Sequence, residues 1–257
     1  MIHFDNVSKH YGGQSQALSS ITVQIKDGDF VFLIGPSGAG KTTILRLLIR
    51  EILPTDGNVY IDSWHINAIP PSHVHLLRRH VGTVFQDFKL IVDRTVFENV
   101  AVGLEILGKT DTDIAAEVDE VLKLVGLSEQ QTKFPRELSA GEMQRTAIAR
   151  AIVGGPKILL ADEPTGNLDP QTAADIIHLL LEINKIGTTV VMATHNVSVV
   201  NHLSKRTITL LEGSIVSDEK QGKYLVSSRR THESIAVGKK HAGSTEAEIQ
   251  GGHHAST

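Results

Sequence analysis

The sequence predicts an α/β fold: a mixed β core holding a parallel sheet, an antiparallel β portion ahead of it, and a helical portion inserted into it. Three observations carry this. The apolar run FVFLIG (30–35) ends in glycine and leads into an amphipathic stretch, the strand–turn–helix opening of a parallel unit. Two later runs, KILLADEP (157–164) and TTVVMATH (188–195), have the same buried-strand character and bracket a helical stretch. From about Thr95 to Ala151, between the first run and the second, the apolar period is that of helices.

The elements follow in order. Ile2, Phe4 and Val7, then Ile21, Val23 and Ile25, alternate between turn-forming YGGQSQ and KDGD, which predicts antiparallel strands with one buried face. After FVFLIG, the stretch TTILRLLIREI (42–52) places Ile44, Leu45, Leu48 and Ile52 on one side of a helix. In the middle portion TVFENVAVGLEILG reads as a helix. It is followed by DIAAEVDEVLKLVG, whose stripe of Ile114, Val118, Val121, Leu122 and Val125 ends on Gly126 as a C-terminal cap. A third helix opens at LSAGEMQR (138–145). A helix around 171–186 separates the two later strands, and TITLLEGSIV (207–216) reads as a closing hairpin. The expected domain is residues 1–217, with the helical subdomain at about 87–155. Residues 218–257 are rich in Ser, Thr, Gly and His and predict a disordered tail.

Bulk properties narrow the function. The chain has 257 residues, 40% hydrophobic and 21% charged, with a net charge of −4, which argues against nucleic-acid binding driven by charge. It has no cysteine, so disulfides and thiolate metal sites are excluded. The start MIHFDNVSKHY lacks a signal peptide's basic and apolar regions, and no apolar run approaches the roughly 20 residues of a membrane span. The expectation is a soluble cytoplasmic-type chain reaching a membrane only through a partner. His65, His73, His75 and the tail histidines show no ligand spacing, so no metal site is expected from them.

The chemistry lies at strand ends. GPSGAGKT (35–42) is a phosphate-binding loop in the required strand–helix context. Its cradle is Gly35, Pro36, Ser37, Gly38, Ala39, Gly40, Lys41, Thr42 and Thr43; the backbone amides and Lys41 serve phosphate oxygens and the Thr42 hydroxyl serves Mg²⁺. Asp162 ends a buried strand and suits the Mg²⁺ shell, while Glu163 suits a base that positions water. His195 ends the next strand within expected reach of Glu163. LSAGEMQR looks like a second anion cradle, with no lysine beside it.

Taken in order, GPSGAGKT, VFQDF, LSAGEMQR, LADEPTGNLDP and ATHN resemble the ATP-binding-cassette ATPases over about residues 1–217. The resemblance implies a RecA-like parallel sheet, ATP and Mg²⁺ as ligands, and hydrolysis. It makes Tyr11 the adenine-stacking aromatic, Gln86 a Mg²⁺ contact linking nucleotide to the helical subdomain, and Glu163 the catalytic glutamate. His195 becomes the switch histidine and Asp169 part of the loop that meets a neighbouring subunit. Ser139 and Gly141 would bind the γ-phosphate held by the opposite chain, which removes the need for a local lysine. Ala140 and Glu142 depart from the commonest signature. Ala140 is costly only at positive φ, and Met143 has no assigned role.

VFQDFKLIVDRTVFENVAVGLEILG (84–108) resembles the bacterial cell-division branch of this family. That branch implies a homodimer on the cytoplasmic face of the plasma membrane, held there by a polytopic membrane protein of the FtsX type. Other division proteins are possible partners and nucleic acid is not expected. The function so implied is regulation of septal peptidoglycan hydrolysis. Two other readings stay open: a lipoprotein-release or macrolide-type exporter ATPase, and a non-hydrolysing ATP-dependent scaffold.

Overall fold

A computed structural model of the chain describes residues 1–12, 16–196, 200–201 and 203–222. In chain order its elements are β1 (Ile2–His10), β2 (Gln16–Ile25), β3 (Phe30–Ile34), α1 (Lys41–Leu48), β4 (Asp56–Ile61), β5 (Trp64–His65), α2 (Val74–Arg78) and β6 (Val81–Val84). They continue with α3 (Val96–Ile106), α4 (Asp111–Val125), α5 (Ala140–Ile152), β7 (Ile158–Asp162), α6 (Pro170–Lys185), β8 (Thr189–Thr194), β9 (Arg206–Leu211) and β10 (Ser214–Glu219).

Two sheets result. The first, in the order β2-β1-β4-β5, is antiparallel. Its register pairs Ile2 with Ile25 and Phe4 with Val23, and an irregularity between Phe4 and Val7 brings the out-of-phase Val7 opposite Ile21 into the same apolar cluster. The second runs β10-β9-β3-β8-β7-β6, parallel except for the terminal β9–β10 hairpin.

The continuous apolar run of β3 is explained by its two occupied faces. Phe30, Phe32 and Ile34 pack with Val100, Leu104, Leu122, Ile148 and Ile176 of the helices. Val31 and Leu33 point the other way, into the cluster formed by Phe4, Val23, Leu45 and Leu48. A strand covered on both sides cannot alternate apolar with polar residues. α4 buries Ile114, Val118, Leu122 and Val125 and ends on Gly126 at φ 71°, as its stripe and cap predict.

Three features differ from the sequence reading. The helix expected over 42–52 stops at Leu48. Arg50 turns left-handed (φ 52°), Glu51 N–H bonds to the Arg46 carbonyl at 2.9 Å, and Arg50 N–H bonds to the Leu47 carbonyl at 3.0 Å. Arg50 is held there by distant partners, donating to the carbonyls of Ile66 (3.1 Å) and Ile69 (2.9 Å). Strands β4, β5 and β6 have no counterpart in that reading. β6 contains Gly82, whose Cβ would lie 2.3 Å from the Ala151 carbonyl oxygen of α5, so what looks like a strand breaker is required for close approach. The hairpin is longer than 207–216, because Asp218 pairs with Ile208 and Glu219 with Thr207. Of the expected tail, residues 223–257 lie outside the described residues.

Candidate nucleotide site

α1 starts where the chain leaves β3. Gly35, Gly38 and Gly40 have φ of 149°, 81° and 105°, values that a residue with a Cβ rarely adopts. At Gly35 a Cβ would also lie 2.3 Å from the Leu210 carbonyl oxygen, and at Gly40 2.8 Å from that of Ala17. Gly40 caps α1 with no side-chain hydrogen bond, and the first turn contains no acid. The amides of that turn and the positive end of the helix dipole therefore face the cleft without an internal anion.

That cleft has a volume of about 510 Å³ and is lined by residues 37–43 together with Gln86, Asp162, Glu163 and His195. Strand ends deliver the last three: Asp162 closes β7, Glu163 follows it, and His195 follows β8. Lys41 is buried, donates to the carbonyls of Gly35 (2.8 Å) and Pro36 (3.1 Å), and lies 3.9 Å from Glu163 Oε1. Thr42 Oγ1 donates to Asp162 Oδ1 at 3.3 Å. Burial raises the Asp162 carboxyl above its ordinary value and the neighbouring Glu163 adds to this, while Thr42 and Lys41 oppose it. Glu163 occupies left-handed backbone at φ 49°, anchored by its N–H on the Ala193 carbonyl at 3.0 Å. His195 Nδ1 stands 2.6 Å from Glu163 Oε2. Two acids, a lysine and a histidine thus converge where the uncapped helix opens.

The structure does not bring every expected site residue here. Tyr11 follows β1 outside the lining of the cleft, its ring 5.4 Å from Lys9 Nζ. Ser139 caps α5, 97 residues further along the chain than Thr42 and also outside that lining. It forms a reciprocal box with Glu142: Ser139 N–H and Oγ–H each donate to Glu142 Oε2 at 2.8 Å, and Ser139 Oγ accepts from Glu142 N–H at 3.3 Å. These bonds hold the Glu142 carboxyl below its ordinary value. Glu142 is therefore the helix's own capping partner. Ala140 is the first residue of α5, outside the left-handed region, so its methyl is not strained. Met143 packs against the helical-side core. Asp169 caps α6 by accepting from the N–H groups of Gln171 and Thr172, each at 3.1 Å, with Pro170 as the first helical residue.

The sequence reading missed Asn167, whose Nδ2 donates to the Gln86 carbonyl at 3.3 Å and joins the loop after β7 to the loop after β6. Its position inside GNLD was the available signal. It also missed Asn99 and Arg150, which grip main-chain carbonyls near Gln86 and so leave no side-chain pairing to read.

The chain as a whole matches known proteins. The family model described as ABC transporter matches residues 18–166. The cell division ATP-binding protein FtsE of Mycobacterium tuberculosis is 50% identical over 225 residues, 87% of this chain and 98% of that protein. FtsE of Escherichia coli is 44% identical over 215 residues, 84% and 97% of the two chains. A dimeric structure of a post-hydrolysis state of an ATP-binding cassette, bound to ADP and Pi, superposes with a TM-score of 0.79 at 36% identity, covering 87% of this chain and 100% of that one. The phosphate loop, the strand-end acids and these likenesses agree: the chain belongs to the ABC transporter family of ATP-hydrolysing cassettes and, within it, to the FtsE group.

Proposed function

We propose that the chain is the ATPase subunit of an FtsEX-type complex, in which ATP-driven closure of a dimer acts on an FtsX-type membrane partner to regulate septal peptidoglycan hydrolysis in cell division. The observation that carries the catalytic half is the convergence of Lys41, Asp162, Glu163 and His195 on the uncapped start of α1. The cell-division half rests on relatives named for that role.

The site residues take these roles. Residues 35–43 hold the phosphates through backbone amides and Lys41, and Tyr11 stacks on the adenine. Thr42, Gln86 and Asp162 would hold Mg²⁺. Their oxygen donors suit a hard cation, and a divalent charge would relieve the burial that raises the Asp162 carboxyl. Bound there, the ion would offset charge on the phosphate oxygens. Glu163 accepts the proton of the attacking water, and His195, 2.6 Å away, orients that carboxylate. Ser139, Gly141 and Asp169 stand outside their own chain's cleft and complete that of a second copy, in keeping with the dimeric cassette that this fold resembles. The working domain is the expected 1–217, extended through the end of β10 at Glu219, with the helical subdomain at 87–155. Among the described residues no helix is long and apolar enough to cross a membrane. Placement at the cytoplasmic face of the plasma membrane therefore depends on the partner, and other division proteins are further candidates for contact.

Glu163→Gln tests the reading. ATP binding is retained, turnover falls by at least about 100-fold, and a closed dimer accumulates in size-exclusion chromatography. Hydrolysis at the parent rate would remove Glu163 from the mechanism. Co-expression with candidate membrane proteins tests the other half, and co-purification with a lipoprotein-extracting permease would overturn the division role.

A further inference from the structure

The segment between β6 and α3 begins at the edge of the cleft, where Gln86 lines the nucleotide site. Two residues beyond it, Phe88 and Lys89 have φ of 60° and 50°, consecutive left-handed residues without a glycine. Such a turn persists only where its surroundings fix it. Its own backbone closes it, Phe88 N–H bonding to the Phe85 carbonyl at 3.2 Å and Lys89 N–H to the Asp87 carbonyl at 2.6 Å, and one side chain braces it from outside. Arg150, half-buried near the end of α5, donates from Nη2 to the Phe88 carbonyl at 2.9 Å and from Nη1 to the Lys89 carbonyl at 2.7 Å. The planar guanidinium meets the two carbonyls from two separate nitrogens held in a rigid fork, a geometry that the single Nζ of a lysine does not reproduce. Burial pulls the Arg150 pKa below its ordinary value, a cost that a surface ion pair would not carry.

The rest of the segment is fastened to the helical unit as well. Asn99 of α3 is fully buried, accepts from Ile91 N–H at 2.8 Å and donates to the carbonyls of Ile91 (3.0 Å) and Arg94 (3.0 Å). Gln86 itself is tied to the strand-end side through Asn167. The segment therefore rides on α3 and α5 while its second residue, Gln86, lines the cleft. α5 has 13 residues, about 20 Å of rigid rod, with Ser139 at one end and Arg150 near the other.

We propose that Arg150 is a positioning residue for ATP hydrolysis: its fork holds the Phe88–Lys89 turn, and with it the setting of Gln86 in the cleft, so that α5 and the nucleotide site move as one linkage. This rests on the reading of Gln86 as part of the ATP site. The displacement of α5 when Ser139 meets a second copy's nucleotide reaches Gln86 through these two bonds.

The test is a double-mutant cycle on the full chain, reading ATPase kinetics and thermal stability. Arg150→Lys keeps the charge but loses the fork; kcat falls about tenfold while KM for ATP stays within about twofold. Adding Lys89→Gly, which takes positive φ without cost, restores at least half of the lost kcat. A residue that merely stabilises the fold would lower the melting temperature without this rescue. Gln86→Ala lowers kcat, and combining it with Arg150→Lys adds little further loss. An unchanged rate in Gln86→Ala overturns the site reading and this linkage together. A lowered rate there with fully additive losses, or no rescue by Lys89→Gly, overturns the linkage alone.

Discussion

Helix α1 begins at Gly40, which places no side chain over its first turn, whereas α5 begins at Ser139, whose amide and hydroxyl are both taken by Glu142. Both starts read as anion cradles in the sequence. The difference between them is in who satisfies the orphan donors of the first turn. At α1 no side chain caps the helix and no acid stands in its first turn, which leaves room for an external anion. At α5 an internal carboxylate already fills that place, so a phosphate approaching Ser139 must compete with Glu142. On the proposed reading the first cradle needs no rearrangement to take an anion, whereas the second would first have to release its own cap.

Changes at the two starts separate these cases. The largest effect is expected for Gly40→Ala, which forces a Cβ into left-handed backbone at φ 105° and to within 2.8 Å of the Ala17 carbonyl oxygen. A loss of about 3 kcal/mol in urea unfolding is expected from backbone strain plus overpacking, and an unaltered midpoint would contradict the fixed geometry of the first cradle. Next is Ser139→Arg. Turnover should fall at least about 100-fold, in the range seen when an anion-stabilising donor is removed, with single-chain ATP affinity within about twofold in calorimetry. Equal loss of affinity would place the second cradle in its own chain's site. Ser139→Ala removes the capping hydroxyl and should cost about 1 kcal/mol of stability. The smallest effect is a pH dependence. The Glu142 carboxyl sits below its ordinary value of 4.5 in the folded chain. Its contribution is therefore present above that value and is lost as pH falls through the folded pKa. The melting-temperature gap between the parent and Glu142→Gln should be present at pH 7 and close in acid; a gap independent of pH would mean that charge plays no part in the cap.

What the sequence revealed follows from how each feature is encoded. The phosphate loop was legible because three glycines, a lysine and a threonine must follow a buried strand for the backbone to turn inward. Asp162, Glu163 and His195 were legible as strand-end polar residues after apolar runs. The tight end of α1 was not, because Arg50 is held by carbonyls at Ile66 and Ile69, contacts without local signal. β6 was hidden by Gly82, whose reason is the nearness of α5. The tolerance of Ala140 depends on its φ, which the sequence does not encode; as the first residue of a helix it is ordinary. Met143 needed the packing of α5 against the core to acquire a place.

Gly141 is packed against the start of α6. A Cβ there would lie 2.6 Å from Thr172 Cγ2, and the Thr172 amide is held by Asp169. The turn at Ser139 and the turn at Asp169 are thus pressed together, so that a second copy of the chain would meet a single composite surface. Loss of turnover in a Gly141 variant then has two physical origins, a missing anion contact or a displaced α6 start. Thr172→Ser, which removes the obstructing methyl while keeping the hydroxyl, restores function in Gly141→Ala only if the second origin dominates.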